Sequence, residues 1–177
     1  MATKLFLSLS LLLTLLYSNL ALAAPTASSP AAAATTTKAY QIRGVADPIY
    51  HLYLQTLPGD ATKPVLGPEA SAETYIVGST IQSTNTSAYL NIDTSSASYK
   101  PLSLGETSNT TAWGLEGDTI VTTAGSVYGR QTNFLVCVLD TSNTTDTYYE
   151  IYLQTGSDVP SGKNCSNYQT LHLPCLC

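Results

Sequence analysis

Charged residues are scarce in this 177-residue chain, where only 11% are Asp, Glu, Lys or Arg and 7 basic residues face 12 acidic ones. Soluble domains carry about 25% charged residues, so this chain must rely on uncharged polar side chains for solubility. The formal net charge is -5 and no two cations are adjacent, whereas a nucleic-acid ligand requires clustered Lys and Arg. The sequence therefore indicates an extracellular type of surface and no nucleic-acid partner.

The chain also lacks an uninterrupted apolar run of the length that spans a membrane, which is about 20 residues. Its apolar stretch at residues 5–16 is broken by Ser and Thr, follows Lys4 and precedes Ala21-Leu22-Ala23. A charged start, a short apolar segment and a small-x-small site are the three parts of a secretory signal. We expect a signal peptide at residues 1–23 and a product that is extracellular or in a cell wall, without membrane association after cleavage.

Aromatic residues and periodic apolar positions are absent from residues 24–38, which consist mainly of Ala, Thr, Ser and Pro. Such a segment buries too little surface to offset the entropy of ordering it. We expect residues 24–38 to be a disordered linker. The folded domain then covers residues 39–177, which is enough for one core.

Helical periodicity is missing from this domain, since no window of twelve or more residues repeats apolar positions at intervals of three and four. Short β-branched and aromatic runs separated by Gly, Pro, Asn, Asp and Ser predict an all-β fold instead. The predicted strands are residues 50–55, 75–77, 88–92, 119–122, 133–139 and 149–154.

An internal repeat refines the fold prediction. Residues 76–81 align with residues 115–120 as apolar, any, Gly, small polar, Thr, Ile, and Tyr-x-(Leu/Ile)-Tyr-Leu-Gln-Thr begins at both Tyr50 and Tyr149. A unit of about forty residues with four short strands, present three times, is typical of a β-trefoil. We therefore predict a single compact domain with a β-trefoil-like barrel; a β-sandwich is the alternative, because antiparallel proteins also repeat hairpins.

Cysteines are few but even in number: Cys137, Cys165, Cys175 and Cys177. In a secreted chain this pattern predicts disulfides, and a metal site is disfavoured because Cys175-x-Cys177 lacks zinc-ligand spacing. We favour a Cys137–Cys165 bond, which leaves the two tail cysteines to each other in a strained ring. In the competing pattern Cys137 and Cys165 each bond to one tail cysteine.

Four Asn-x-Ser/Thr sequons are candidate N-glycosylation sites on exposed turns. Their acceptors are Asn85, Asn109, Asn143 and Asn164. Asn164 is the weakest of these because the middle residue of its sequon is Cys165.

Recognisable catalytic groups are also lacking. His51 is predicted on the outer face of a strand and His172 lies near the terminus, and neither has an evident partner in sequence. Glu69 and Glu73 could form an acid and base pair for glycoside hydrolysis, but solvated loop carboxylates are far more common at such spacing. Residue types alone resemble those of microbial ribonucleases, and no local motif matches. We expect no enzyme activity, no catalytic residue, no metal and no cofactor.

Tyrosines are abundant, with 12 against a single Trp. Those in predicted strands, including Tyr50, are expected mostly to pack in the core or to cover its edges, and Trp113 also suits a core position. Aromatic faces beside Asn and Gln are, however, how β-domains hold sugar rings. Trp113 and Tyr89 are therefore the candidate glycan contacts, and a cell-wall polysaccharide or other wall glycan is the candidate partner.

Several motifs together resemble a known family. They are Ala24-Pro25 after the signal, Trp113-Gly114-Leu115 before Gly117, Phe134-Leu135-Val136-Cys137, Tyr152-Leu153-Gln154-Thr155-Gly156-Ser157 and Asn164-Cys165. Their order is similar to that in the small secreted cell-wall proteins of filamentous fungi typified by the phialide cell-wall protein. The resemblance is clearest over residues 113–165, about a third of the chain, and the chain departs from the family at residues 50–55 and at Cys175-x-Cys177.

The resemblance implies a wall-associated or secreted protein of conidium-forming cells, a group in which some members bind IgE, and it supplies no catalytic residues. We expect a secreted fungal cell-wall-associated structural glycoprotein, monomeric and without catalytic activity. A secreted glycan-binding, lectin-like module or effector is the alternative. A small secreted hydrolase or ribonuclease is a third, less favoured class.

Overall fold

A computed structural model describes residues 38–140 and 146–174, which belong to one compact unit. Strands dominate it, and the helical structure in this described part is one 3-10 turn, Glu69–Ser71. The strands, in chain order, are β1 Arg43–Gly44, β2 Tyr53–Leu57, β3 Asp60–Gly67, β4 Tyr75–Val77, β5 Ile81–Ser83, β6 Tyr89–Ile92, β7 Tyr99–Gly105, β8 Trp113–Glu116, β9 Thr119–Thr122, β10 Phe134–Leu139, β11 Tyr148–Gln154, β12 Cys165–Gln169 and β13 Leu171–His172. The all-β prediction is confirmed.

The strands form one antiparallel, barrel-like sheet in the order β4-β5-β6-β7-β11-β3-β2-β1-β13-β9-β8. The two ends of this path approach each other, since the amide of Trp113 in β8 donates to the carbonyl of Ser79 after β4 at 3.1 Å. The sheet branches at β11, because β10 pairs with its other edge and β12 continues beyond β10. The predicted single-domain barrel is therefore confirmed as a nearly closed sheet with one branch.

Side chains alternate between the two faces of each strand, and those on the inner face form the core. In β11, Ile151 and Leu153 face inward, whereas Glu150, Tyr152 and Gln154 alternate with them on the opposite face. Trp113 is fully buried and lies parallel to Phe134, with ring centroids 6.5 Å apart. Its indole nitrogen donates to the carbonyl of Leu90 at 2.9 Å, so the one polar atom of the ring is satisfied inside the core.

Both aligned glycine segments are hairpins, as predicted. β4 and β5 pair Val77 with Ile81, and β8 and β9 pair Glu116 with Thr119. Gly117 has a φ of 64°, which suits a two-residue hairpin loop because glycine adopts left-handed conformations without a Cβ penalty.

One strand prediction is wrong at its start. The predicted strand at residues 50–55 begins only at Tyr53, because Tyr50 forms an isolated bridge with Gly44 and His51 lies in a turn with a φ of 58°. Tyr50 is consequently 59% exposed and is not part of the core. The aromatic ring of Tyr50 lies against that of His51, with centroids 4.1 Å apart.

The favoured disulfide is confirmed. Cys137 in β10 and Cys165 in β12 are directly paired across the two strands and bonded, with Cα atoms 4.0 Å apart. The competing pairing of both cysteines with the tail is therefore wrong. Cys175 and Cys177, the Asn143 acceptor, the signal segment and residues 24–37 of the linker lie outside the described residues.

Candidate functional site

An open cleft lies where the end of β11 meets the start of β10 and the end of β12. Its volume is about 360 Å³. Every lining side chain is uncharged: Gln131, Asn133, Gln154, Thr155, Gly156, Ser157 and Tyr168. We call this the Tyr168 cleft. Amide and hydroxyl groups around an exposed aromatic ring can hydrogen-bond to and stack on a neutral sugar.

Tyr168 stands out of β12 because that strand contains a bulge. Between two positions of β10, Phe134 and Val136, β12 contains one extra residue, since their partners are Gln169 and Ser166. Tyr168 adopts a φ of 59°, which is uncommon outside glycine, and its side chain is 64% exposed. Bulges redirect side chains, and this one directs an aromatic ring into solvent at the cleft.

The side chain of Gln154 fixes the geometry of the cleft through three hydrogen bonds. Its Oε1 accepts the backbone amide of Tyr168 at 2.7 Å, while its Nε2 donates to the carbonyl of Gly156 and to Oδ1 of Asn167, each at 2.9 Å. The Gln154 side chain is buried, so these bonds are formed away from water. One amide group therefore joins β11, the loop that follows it and the bulge of β12.

A second cleft, of about 320 Å³, lies between the loop after β6, the loop before β8 and the turn after β9. We call it the Val127 cleft. It is lined by Ile92, Thr94, Asn109, Thr110, Thr111, Ala112, Gly125, Ser126, Val127 and Tyr128, none of which is charged.

A buried carboxylate lies outside both clefts, on the outer face of β11. Glu150 pairs with Lys63 and with Lys163 through its two oxygens, and it accepts the Tyr152 hydroxyl at 2.8 Å. Desolvation lowers the pKa of Lys163, and the nearby Lys63 ammonium lowers it further. Burial raises the pKa of Tyr152, with a smaller contribution from Tyr99, whose ring meets it edge-on. These ion pairs connect β3, β11 and the segment before β12, so the role of Glu150 is structural.

The predicted carboxylate pair is not brought together as an active site. Glu69 is exposed, whereas Glu73 is buried, so the expectation of two solvated loop carboxylates is wrong for Glu73. Glu73 accepts the Thr56 amide at 2.9 Å and the Ser83 hydroxyl at 2.6 Å, and these partners compensate for the burial of its carboxylate.

Burial and the adjacent Glu73 charge raise the pKa of Tyr75.

His172 has a neighbouring partner, Thr170, and a second partner, Asp118, that lies 54 positions away in sequence. Its Nε2 lies 2.9 Å from the Thr170 hydroxyl, and its Nδ1 lies 3.2 Å from Oδ1 of Asp118. A hydroxyl, an imidazole and a carboxylate in this order can move a proton. Thr170, His172 and Asp118 line neither the Tyr168 cleft nor the Val127 cleft.

The two predicted glycan contacts, Trp113 and Tyr89, differ in burial. Trp113 cannot contact a glycan because its side chain is fully buried, so that prediction is wrong. Tyr89 is half-buried in β6 and lines neither cleft. Sequence reasoning missed Tyr168, whose exposure depends on the β12 bulge.

Three of the four sequon acceptors are described, and Asn85, Asn109 and Asn164 are all exposed. Asn109 is the one that lines a cleft.

No group of three or more His, Cys, Asp or Glu side chains that could hold a metal ion occurs within residues 38–140 and 146–174. In the same ranges, no helix has the length and apolar character needed to cross a bilayer.

Comparison with known proteins finds no matching family model, no matching curated protein and no matching solved structure.

Proposed function

We propose that this chain is a secreted, cell-wall-associated structural glycoprotein that contacts neutral wall polysaccharide through the Tyr168 cleft, without catalysis. The observation that carries the proposal is Tyr168 itself: an aromatic residue that is 64% exposed, has a φ of 59° and lines a cleft without charged side chains. A strained, exposed aromatic residue held by buried hydrogen bonds is the kind of feature found at binding sites.

The chemistry of the cleft favours a neutral ligand. Gln131, Asn133 and Ser157 offer amide and hydroxyl groups to sugar hydroxyls, and Tyr168 offers an apolar ring face. A charged sugar would lose hydration in this cleft without gaining an ionic partner there. A neutral hexose or N-acetylhexosamine polymer fits these groups best.

The sequence supports the location of the protein. The signal at residues 1–23 directs the chain out of the cell, and the resemblance to the fungal phialide cell-wall proteins favours the wall. Two motifs of that resemblance, around Gln154 and at Asn164-Cys165, belong to the elements that build or brace the Tyr168 cleft. The lectin-like alternative uses the same cleft and differs only in location: the protein would be free outside the cell instead of held in the wall.

The test is retention of the secreted protein on insoluble wall polysaccharides, β-glucan and chitin. Tyr168→Ala should abolish retention, whereas Tyr50→Ala should keep it, because Tyr50 is similarly exposed but lies outside the cleft. Equal retention of both variants would exclude the cleft as the binding site, and no retention of the native protein would exclude polysaccharide binding. Release from hyphae only after wall digestion supports the structural role, whereas free protein in the medium that binds glucan or chitin supports the lectin-like one.

A further inference from the structure

One apolar side chain of the Val127 cleft is exposed to water to an unusual degree. Val127 is 92% exposed, more than any other large hydrophobic residue of the described part. The half-buried Tyr128 and Ile92 line the same cleft, so its lining combines apolar side chains with Thr and Ser hydroxyls. An apolar surface rimmed by polar groups generally indicates something that covers it.

A glycosylation acceptor is part of the same cleft. Asn109 and Thr111, the acceptor and the hydroxyl residue of one sequon, both line it and both are exposed. The Asn109 carboxamide accepts the Thr107 hydroxyl through Oδ1 at 3.4 Å, and its Nδ2, which would carry the glycan, belongs to an exposed residue.

The backbone at this acceptor is held in place. The buried Asn91 accepts the amides of Asn109 and Thr110 through its Oδ1, at 2.8 and 3.1 Å, and its Nδ2 donates to the Thr107 carbonyl at 2.9 Å. The Thr110 hydroxyl in turn accepts the Ile92 amide at 2.8 Å. A sugar linked to Asn109 would consequently start from a fixed point at the rim.

We propose that the N-linked glycan of Asn109 folds back onto its own protein and packs its first N-acetylglucosamine residues into the Val127 cleft. This rests on the secretion of the chain in the proposed function. The attachment forms an N–C bond at Nδ2, which loses a proton, as the sugar–phosphate bond of a lipid-diphosphate oligosaccharide donor breaks. The apolar ring faces and acetyl methyl groups of these sugars suit Val127 and Tyr128, and their hydroxyls suit Thr94 and Ser126.

The cleft has a size that suits this occupant. Its volume of about 320 Å³ is at the lower end of the ~300–1,000 Å³ found for small-ligand pockets. Asn85 and Asn164 provide internal comparisons, because they are exposed acceptors that line neither cleft. Glycans at those two positions should extend into solvent.

The experiment uses the full chain secreted from a eukaryotic host, with site occupancy measured by glycopeptide mass spectrometry. An endoglycosidase that cuts between the two core N-acetylglucosamines is then applied to native and denatured protein. We expect the Asn109 glycan to be cut at least tenfold more slowly in the native state, with no such protection at Asn85. An unoccupied Asn109 beside an occupied Asn85, or equal native rates at both sites, would overturn the proposal.

A variant that keeps the sequon removes the remaining ambiguity. Val127→Asp places a charge on an exposed position, so the fold should be retained, and it should restore rapid cleavage at Asn109. Protection that survives Val127→Asp would show that the cleft does not hold the glycan. Different results would contradict the proposed function: a chain that is not secreted, or polysaccharide retention that does not depend on Tyr168.

Discussion

The backbone amide of Tyr168 donates a 2.7 Å hydrogen bond to the buried side chain of Gln154, across the strand that separates them in the sheet. A non-glycine residue at positive φ costs of order 1–3 kcal/mol, so the surrounding structure must hold it there. Gln154 provides that support and fixes the direction of the exposed ring.

The first prediction concerns Gln154→Leu. This variant keeps the volume but removes all three hydrogen bonds, so we expect a loss of about 1–3 kcal/mol in the free energy of unfolding and weaker polysaccharide retention. Urea unfolding and retention on the same polysaccharide measure the two effects. Gln55→Leu is the matched control, because Gln55 is a buried glutamine in the equivalent Tyr-Leu-Gln-Thr string and its Oε1 has no described partner. Loss of retention in Gln55→Leu as well would point to general destabilisation.

The second prediction concerns the disulfide. Replacing Cys137 and Cys165 together by Ala should lower the free energy of unfolding by about 3.5 kcal/mol, because the bond closes a loop across 28 positions of sequence. The strand register that pairs these residues should survive, so the folded far-UV circular dichroism spectrum should remain native. A variant as stable as the native protein would mean that the bond adds nothing to the β10–β12 pairing.

The third prediction concerns pH. The folded-state pKa of Tyr75 is raised above 10.0, chiefly by burial. Above pH 10 the unfolded chain therefore binds fewer protons at this position than the folded chain, and stability falls as pH rises. Tyr75→Phe should flatten this alkaline decline in the urea midpoint. An unchanged slope in Tyr75→Phe would show that another group causes the decline.

The fourth prediction concerns the cluster on β11. Glu150→Gln removes the carboxylate that two lysines share, and its side chain is only 8% exposed, so the variant leaves two ammonium groups near each other. We expect a loss of about 1–3 kcal/mol, below the range for fully buried pairs because the lysines are about one third exposed. Glu116→Gln, in the exposed pair with Arg130, should have a much smaller effect. Equal effects in the two variants would contradict a special role for burial.

The sequence predicts those elements whose residues obey local rules. Leu54 and Leu153 lie in strands and are fully buried because each belongs to an apolar-aromatic run that can alternate. β3 and β7 were missed because each contains Lys followed by Pro, which local propensity disfavours in a strand. The pairing of these two strands along one edge of β11 compensates for that weak propensity.

The candidate site was less predictable because it depends on contacts between distant positions. Tyr168 lies outside every strand that the sequence predicts, and its outward direction depends on the bulge of β12 opposite Phe134 and Val136. Glu73 looks like a solvated loop residue until Thr56 and Ser83 are brought to it by folding. The sequence of Trp113 and its surroundings is compatible with both a core and a sugar-binding role, and its complete burial decides for the core.

The most direct test of the central claim is the affinity for a soluble fragment of the polysaccharide that retains the protein, measured by isothermal titration calorimetry. We predict that Tyr168→Ala raises Kd at least tenfold, about 1.4 kcal/mol, while Tyr50→Ala leaves Kd unchanged. Both variants should keep the native unfolding midpoint, because both side chains are largely in solvent. A Kd for Tyr168→Ala equal to that of the native protein would contradict the account.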